Sequence, residues 1–144
     1  MIRVTRRYRF SASHRLHAPE LGEAENRQLY GKCNSPFGHG HDYEIEVSVR
    51  GPLEERSGRA VDRERLDSLV RRHVLETFEH RNLNVEVDAF RAVVPTSENL
   101  AREAARRLKQ NWEAVFPAEW PRLEKVSIAE TSRNSFEVSV HEIE

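Results

Sequence analysis

The sequence predicts an α+β fold in the order ββααββ. Three observations carry the prediction: side chains alternate over residues 2–14 and 39–49, apolar residues recur at helical spacing over 62–78 and 97–116, and alternation returns near the C-terminus. Strand pairs on either side of a helix pair argue for a four-stranded antiparallel sheet with two helices on one face. At 144 residues the chain is read as one domain, 1–144, long enough to bury roughly two-thirds of its extended surface.

Each element has its own signature. In the first strand Ile2, Val4, Tyr8, Phe10, Ala12 and His14 share one parity, interrupted only by Arg6, while Arg3, Thr5, Arg7 and Arg9 take the other. Residues 17–38 hold Gly22, Gly31, Pro36 and Gly38 among charges and read as a long loop, a class of segment that usually carries function in compact domains. The second strand puts His39, His41, Tyr43, Ile45, Val47 and Val49 on one face and stops at Gly51-Pro52. Asp62 suits an N-cap, and Leu66, Leu69, Val70, His73, Val74, Thr77 and Phe78 then form a helical stripe. A second helix starts at Pro95-Thr96-Ser97 and runs through Leu100, Ala101, Ala104, Leu108 and Trp112 to Phe116, with Pro117 and Pro121 at its exit. Two strands, at about 123–130 and 135–142, complete the order.

Composition narrows the setting. A 33% charged share against 38% apolar suits a small domain with much wetted surface. The net charge of −1, with both signs mixed along the chain, gives no field that favours nucleic acid or an anionic membrane. One cysteine cannot close an internal disulfide, so Cys33 is expected as a free thiol in a reducing compartment. No apolar run approaches the ~20 residues a bilayer span needs, and MIRVTRRYRF lacks the apolar core of a signal peptide. The expectation is a cytoplasmic protein.

The chemistry concentrates in His39-Gly40-His41. Residues two apart on a strand point to one side, so these imidazoles share the buried parity, as does His14 at the end of the first strand. Pairing of the two strands as an antiparallel ribbon would bring three imidazoles to one end of the sheet. Three neutral histidines suit Zn²⁺ with a fourth position left open, although copper, iron and cobalt also accept imidazole. Cys33 is either a fourth ligand, which would close the site, or a thiol outside it. His73 and His141 read as ordinary hydrogen-bonded residues. An H-x-H followed by a glutamate and a glycine also occurs in cupin barrels, but Glu44 falls on the opposite strand face, and two periodic helices fit a cupin poorly. Glu130 shares the parity of Val126 and Ile128, and a carboxylate on an apolar face requires donors to offset its burial.

Five motifs lie in order along nearly the whole chain: S-A-S-H-R-L from residue 11, C-x5-H-G-H-D-Y from Cys33, E-H-R-N-L-N from Glu79, P-T-S-E-N-L from Pro95 and A-E-T-S-R-N from Ala129. Together they resemble the 6-pyruvoyltetrahydropterin synthase and 6-carboxytetrahydropterin synthase family. The five residues between Cys33 and His39 look more like the pyruvoyl branch than the carboxy branch of the queuosine pathway. The resemblance implies a tunnelling fold in which trimers close a twelve-stranded barrel and two trimers stack as a homo-hexamer, with active sites at subunit interfaces. It implies one zinc per subunit on His14, His39 and His41. The implied substrate is 7,8-dihydroneopterin triphosphate, which loses triphosphate while its side chain rearranges by internal redox. A non-catalytic hexamer braced by zinc is the alternative outside enzymology.

The resemblance also assigns roles. Cys33 matches the catalytic cysteine, a base for a carbon-bound proton if a nearby cation and Lys32 favour its thiolate. His80 matches the proton-relaying histidine, oriented by an acidic neighbour. That neighbour is usually aspartate and here is Glu79, one methylene longer, so its carboxylate approaches from another angle, or serves only as a solvated helix-end group. Glu130 matches the glutamate that anchors the pterin's amino-pyrimidine edge, with an interface ion pair as its other reading. Thr96, Ser97 and Glu98 match the motif lining the pterin pocket, where Thr96 or Ser97 also suits an N-cap. Arg15, Lys32 and Arg81 are candidates to hold the triphosphate.

Overall fold

The computed structural model describes residues 1–143. Its centre is an antiparallel sheet of four strands in the order β1-β2-β3-β4, with β1 at Ile2–His14, β2 at His39–Gly51, β3 at Arg122–Ala129 and β4 at Ser135–Ser139. Helices α1 (Glu23–Tyr30), α2 (Arg63–Val70), α3 (Glu76–Phe78), α4 (Leu83–Glu86) and α5 (Ser97–Val115) join them. The sheet and its helical layer bear out the α+β expectation and exclude a cupin barrel.

One face of the sheet holds the core. Phe10, Tyr43, Ile45, Val47, Val126 and Ile128 point inward and are buried against Leu66, Leu69 and Val70 of α2 and Leu100, Ala101, Ala104 and Leu108 of α5. The alanines let the α5 backbone lie close on β3, and Phe10 stacks on Tyr43 with ring centroids 5.1 Å apart. β1 and β2 pair without a slip from Ile2↔Gly51 to His14↔His39. A slip of one residue would turn every inward side chain to the other face, so burial enforces this register.

Arg6, the odd residue on the inward parity of β1, has a partner. Its Nε and a terminal guanidinium nitrogen donate to the two carboxylate oxygens of Asp67 at 3.1 and 2.6 Å, and the Tyr8 hydroxyl donates to the same carboxylate at 2.6 Å. Burial alone would push the Asp67 carboxyl up, but the hydrogen bonds from Arg6 and Tyr8 outweigh it and hold the group below its ordinary value. Its stabilising contribution is therefore complete above the ordinary carboxylate range and is lost as pH falls through the lowered, folded value. Asp67→Asn is expected to cost about 1 kcal/mol in urea unfolding. The variant should also lose part of the acid-side decline of stability, and an unchanged acid limb would remove this role.

Three expectations need correction. Residues 17–38 are not only loop: they contain α1 and a 3₁₀ turn at Gly31–Asn34. The reason is a single polar residue, since buried Asn26 accepts from the Ala18 N–H at 2.7 Å and donates to the carbonyls of Ala18, Leu21 and Gly22. The first long helix is segmented, with a π-helical stretch at Arg71–Leu75 between α2 and α3, and α4 follows behind an Asn82 cap. Finally, β3 and β4 stop earlier than expected, at Ala129 and Ser139, so Glu130 opens the turn and Val140–Glu142 forms a 3₁₀ turn.

Candidate functional site

The site lies where β1 ends and β2 begins. Register places His14 opposite His39 and Ala12 opposite His41. The imidazole rings of His14 and His39 each stand edge-on to that of His41, with centroids 4.7 and 4.6 Å away. Gly38 makes this approach possible: it has φ 79°, and a Cβ there would come within 3.0 Å of the His14 carbonyl oxygen.

His14 is fully buried. Its Nδ1 lies 2.8 Å from the Pro95 carbonyl and 3.1 Å from the Tyr43 hydroxyl. A carbonyl only accepts, so Nδ1 carries the proton and Nε2 presents a lone pair. That Nε2 is the one buried side-chain nitrogen or oxygen without a hydrogen-bond partner among the described residues. Donor atoms of His14, Cys33, His41 and Glu130 lie within 4.8 Å of one another. A neutral imidazole lone pair facing thiol, imidazole and carboxylate fits a divalent cation, and an orphaned buried acceptor is otherwise costly.

Charges and protons within the cluster are mutually dependent. Burial lowers the pKa of His14, although the Pro95 hydrogen bond and Glu130 act in the opposite sense. Burial likewise lowers that of His41, opposed by Glu130 and reinforced by His14 and His39. The Oε1 of Glu130 stands 2.7 Å from His41 Nε2, and its Oε2 accepts from the buried Ser97 hydroxyl at 2.7 Å. Cys33 Sγ lies 3.5 Å from His41 Nε2. The expected thiolate is not favoured by the protein groups alone: burial pushes the Cys33 thiol up, the Glu130 charge adds to the shift, and Lys32 is exposed.

The remaining residues take more peripheral places. His39 is exposed and outside the tight donor group, though its ring touches that of His41. Thr96 caps α5 by accepting from the Asn99 N–H at 3.2 Å, while Glu98 points to solvent. Glu79 does reach His80, with 3.2 Å between Oε1 and Nε2, but the pair sits at an exposed rim. His80 holds φ 55°, a left-handed conformation that costs an L-residue roughly 1–2 kcal/mol, fixed here by a 2.6 Å bond from its N–H to the Ser11 carbonyl. His41 and His80 line one shared depression.

A family model described as 6-pyruvoyl tetrahydropterin synthase matches residues 3–141. The chain belongs to that family. Among 6-pyruvoyl tetrahydropterin synthase relatives, the 6-pyruvoyl tetrahydrobiopterin synthase of Poecilia reticulata is 38% identical over 131 residues, 91% of this chain and 85% of that protein. The Homo sapiens protein of the same name is 37% identical, covering 91% and 86%. The solved 6-pyruvoyl tetrahydropterin synthase of Caenorhabditis elegans superposes with a TM-score of 0.83 at 39% identity, over 96% of this chain and 94% of that one.

Within this 6-pyruvoyl tetrahydropterin synthase fold, two supports of the site escaped the reading of the sequence. The Pro95 carbonyl orients His14, and a backbone oxygen has no sequence signal. Tyr43 shares the parity of His39 and His41 but reads as core, and its hydroxyl contact is visible only in space.

Proposed function

We propose that the chain is a zinc-dependent lyase converting 7,8-dihydroneopterin triphosphate to 6-pyruvoyltetrahydropterin with loss of triphosphate, acting as a homo-hexamer built as a dimer of trimers. The observation that carries this reading is the partnerless Nε2 of buried His14, set beside Cys33, His41 and Glu130 in a member of this family. His14, His39 and His41 would hold the metal. Bound zinc supplies Lewis-acid polarisation of the substrate's side-chain hydroxyls.

The other groups have separate tasks. Glu130 offers two carboxylate oxygens to the paired N–H groups of the pterin edge, and Ser97 keeps the carboxylate oriented. Thr96 and Glu98 belong to the same pocket motif. Cys33, in its thiolate form, takes the carbon-bound proton, and His80, steadied by Glu79, passes protons at the rim. No external oxidant enters, because the hydrogens gained by the ring are those given up by the side chain.

The five-residue spacing from Cys33 to His39 supports the pyruvoyl product over the carboxy product. A single cysteine suits a reducing cytoplasm, and no helix among the described residues is long and apolar enough to cross a membrane. The test is incubation of zinc-loaded protein with 7,8-dihydroneopterin triphosphate, with products read by mass spectrometry. The expected products are the pyruvoyl pterin and inorganic triphosphate. A 6-carboxy pterin with acetaldehyde would move the chain to the queuosine branch. Absence of turnover with zinc and pterin both bound would leave a metal-braced binding hexamer.

A further inference from the structure

A chain of net charge −1 still gathers cations in one place, at the end of the sheet away from the histidines. Register sets Arg3 opposite Arg50 and Arg50 opposite Arg122, so three arginines form one row across β1, β2 and β3. All three are exposed, on the face opposite the core. Like charges directly opposite one another destabilise a sheet, so the row needs a counter-charge. The protein supplies part of one. The β2–β3 register shifts between Ser48 and Val49 and leaves Glu124 without a strand partner, and an irregularity of this kind re-aims a side chain. The Glu124 carboxylate accepts from Arg3 Nε but stays 3.9 Å from Arg50. Lys125 pairs with Glu137 at 3.0 Å and Arg122 with Glu119 at 3.1 Å. Arg50 therefore has no carboxylate within hydrogen-bond reach among the described residues.

The row opens on a cavity. Arg3, Arg50, Arg122 and Lys125 line one depression of about 350 Å³, where Glu124 is the one carboxylate among the described residues. Trp120 lines it as well, with the Arg122 guanidinium 4.4 Å from the centre of its ring. The same tryptophan lines a second depression, of about 640 Å³, between the start of α2 and the end of α5. Val61, Val115 and Phe116 give that one apolar walls, and its two cations, Arg59 and Arg65, are offset by Glu54, Asp62 and Glu64. A surplus of cations and an apolar chamber thus adjoin at one partly buried indole. Arg3 lies eleven residues along β1 from His14, roughly 35 Å at the usual rise of a strand.

We propose that these two depressions form a second ligand site, for a nucleoside phosphate, with the phosphate on Arg50 and its row and the base against Trp120. A planar guanidinium grips phosphate oxygens in pairs, and an indole offers a stacking surface to any base. An inorganic anion would answer the arginines and leave the ring idle. A nucleoside without phosphate would use the ring and leave Arg50 unpaired. The distance from His14 makes this a separate site and not an extension of the reacting centre.

The test is calorimetric titration of zinc-loaded protein with three separate probes: adenosine monophosphate, adenosine and inorganic phosphate. The monophosphate should bind roughly tenfold more tightly than either fragment, or better, because tethering makes the second contact intramolecular. Arg50→Ala should weaken the monophosphate and inorganic phosphate roughly 10- to 100-fold, while adenosine stays within about twofold. Trp120→Leu should weaken the monophosphate and adenosine roughly tenfold and spare inorganic phosphate. Trp120→Phe, which keeps a ring, should recover part of that loss. Saturation with 7,8-dihydroneopterin should leave the monophosphate in place. A monophosphate bound no more tightly than inorganic phosphate, or with unchanged affinity in Arg50→Ala, overturns the proposal. Displacement by dihydroneopterin does so too, by placing the nucleotide at the histidines, as does the absence of monophosphate binding at about 1 mM.

Discussion

Cys33→Ala should lower turnover of 7,8-dihydroneopterin triphosphate by roughly 10²- to 10⁴-fold, the range over which a positioned acid or base contributes. Zinc content and dihydroneopterin affinity should be retained. The expectation follows from where the thiol stands: its Sγ is 3.5 Å from His41 Nε2, on a turn tied to the end of β1 by a 2.7 Å bond from the Leu16 N–H to the Cys33 carbonyl. Asn34 tightens the same tie, donating to the Leu16 carbonyl at 2.7 Å and approaching His17 Nδ1 at 3.2 Å. Alanine removes the sulfur and leaves these backbone bonds in place. Parallel measurement of kcat, bound zinc and pterin affinity separates the possibilities. A variant that keeps its kcat would remove Cys33 from the chemistry, and loss of zinc alongside activity would make it a ligand.

His14→Ala should have the larger effect on the metal. Loss of a group that merely supports a ligand typically costs 10- to 100-fold in affinity, so removal of the ligand itself should exceed ~100-fold. Competition with a chromophoric chelator reads this directly, without any turnover. The imidazole is fully buried and held through Nδ1 by Pro95, so solvent offers no ready replacement for its inward nitrogen. Affinity within tenfold of the parent chain would place the metal elsewhere.

Much of this site could be read before the fold was known, because strand geometry is simple. His39 and His41 share a face by parity, and His14 joins them once β1 and β2 pair end to end. Glu130 announces itself as a charge on the parity of Val126 and Ile128. Both signals depend on a period of two, which survives without knowledge of the partner strand.

Other parts had no such period. Helix α1 buries only Asn26 and is organised by that amide's bonds to backbone carbonyls, so no apolar stripe marks it. Arg6 looked like an interruption because its partner, Asp67, lies 61 residues away on α2. The separation of Glu79 and His80 from the buried cluster was equally hidden, since motif order says nothing of exposure. The upward push on the Cys33 thiol was hidden as well, because its surroundings are assembled from three other segments of chain, which bring His14, His41 and Glu130.

The backbone bonds that fasten His80 and Arg81 to Ser11 and Ser13 have a further effect. β1 is an outer strand of the sheet, and these bonds cover its open margin near His14. Among the described residues, the stretch from Ile2 to Arg9 has no such cover and still offers main-chain donors and acceptors, flanked by the arginines at 3, 7 and 9. At this margin a neighbouring strand can therefore extend the sheet only along that first stretch. One strand is thus divided in two: its front part leaves its outer peptide groups unpaired among the described residues, and its rear part is held by the segment that carries the rim histidine. Extension of the sheet at this margin and support of the histidine cluster would thus draw on different peptide groups.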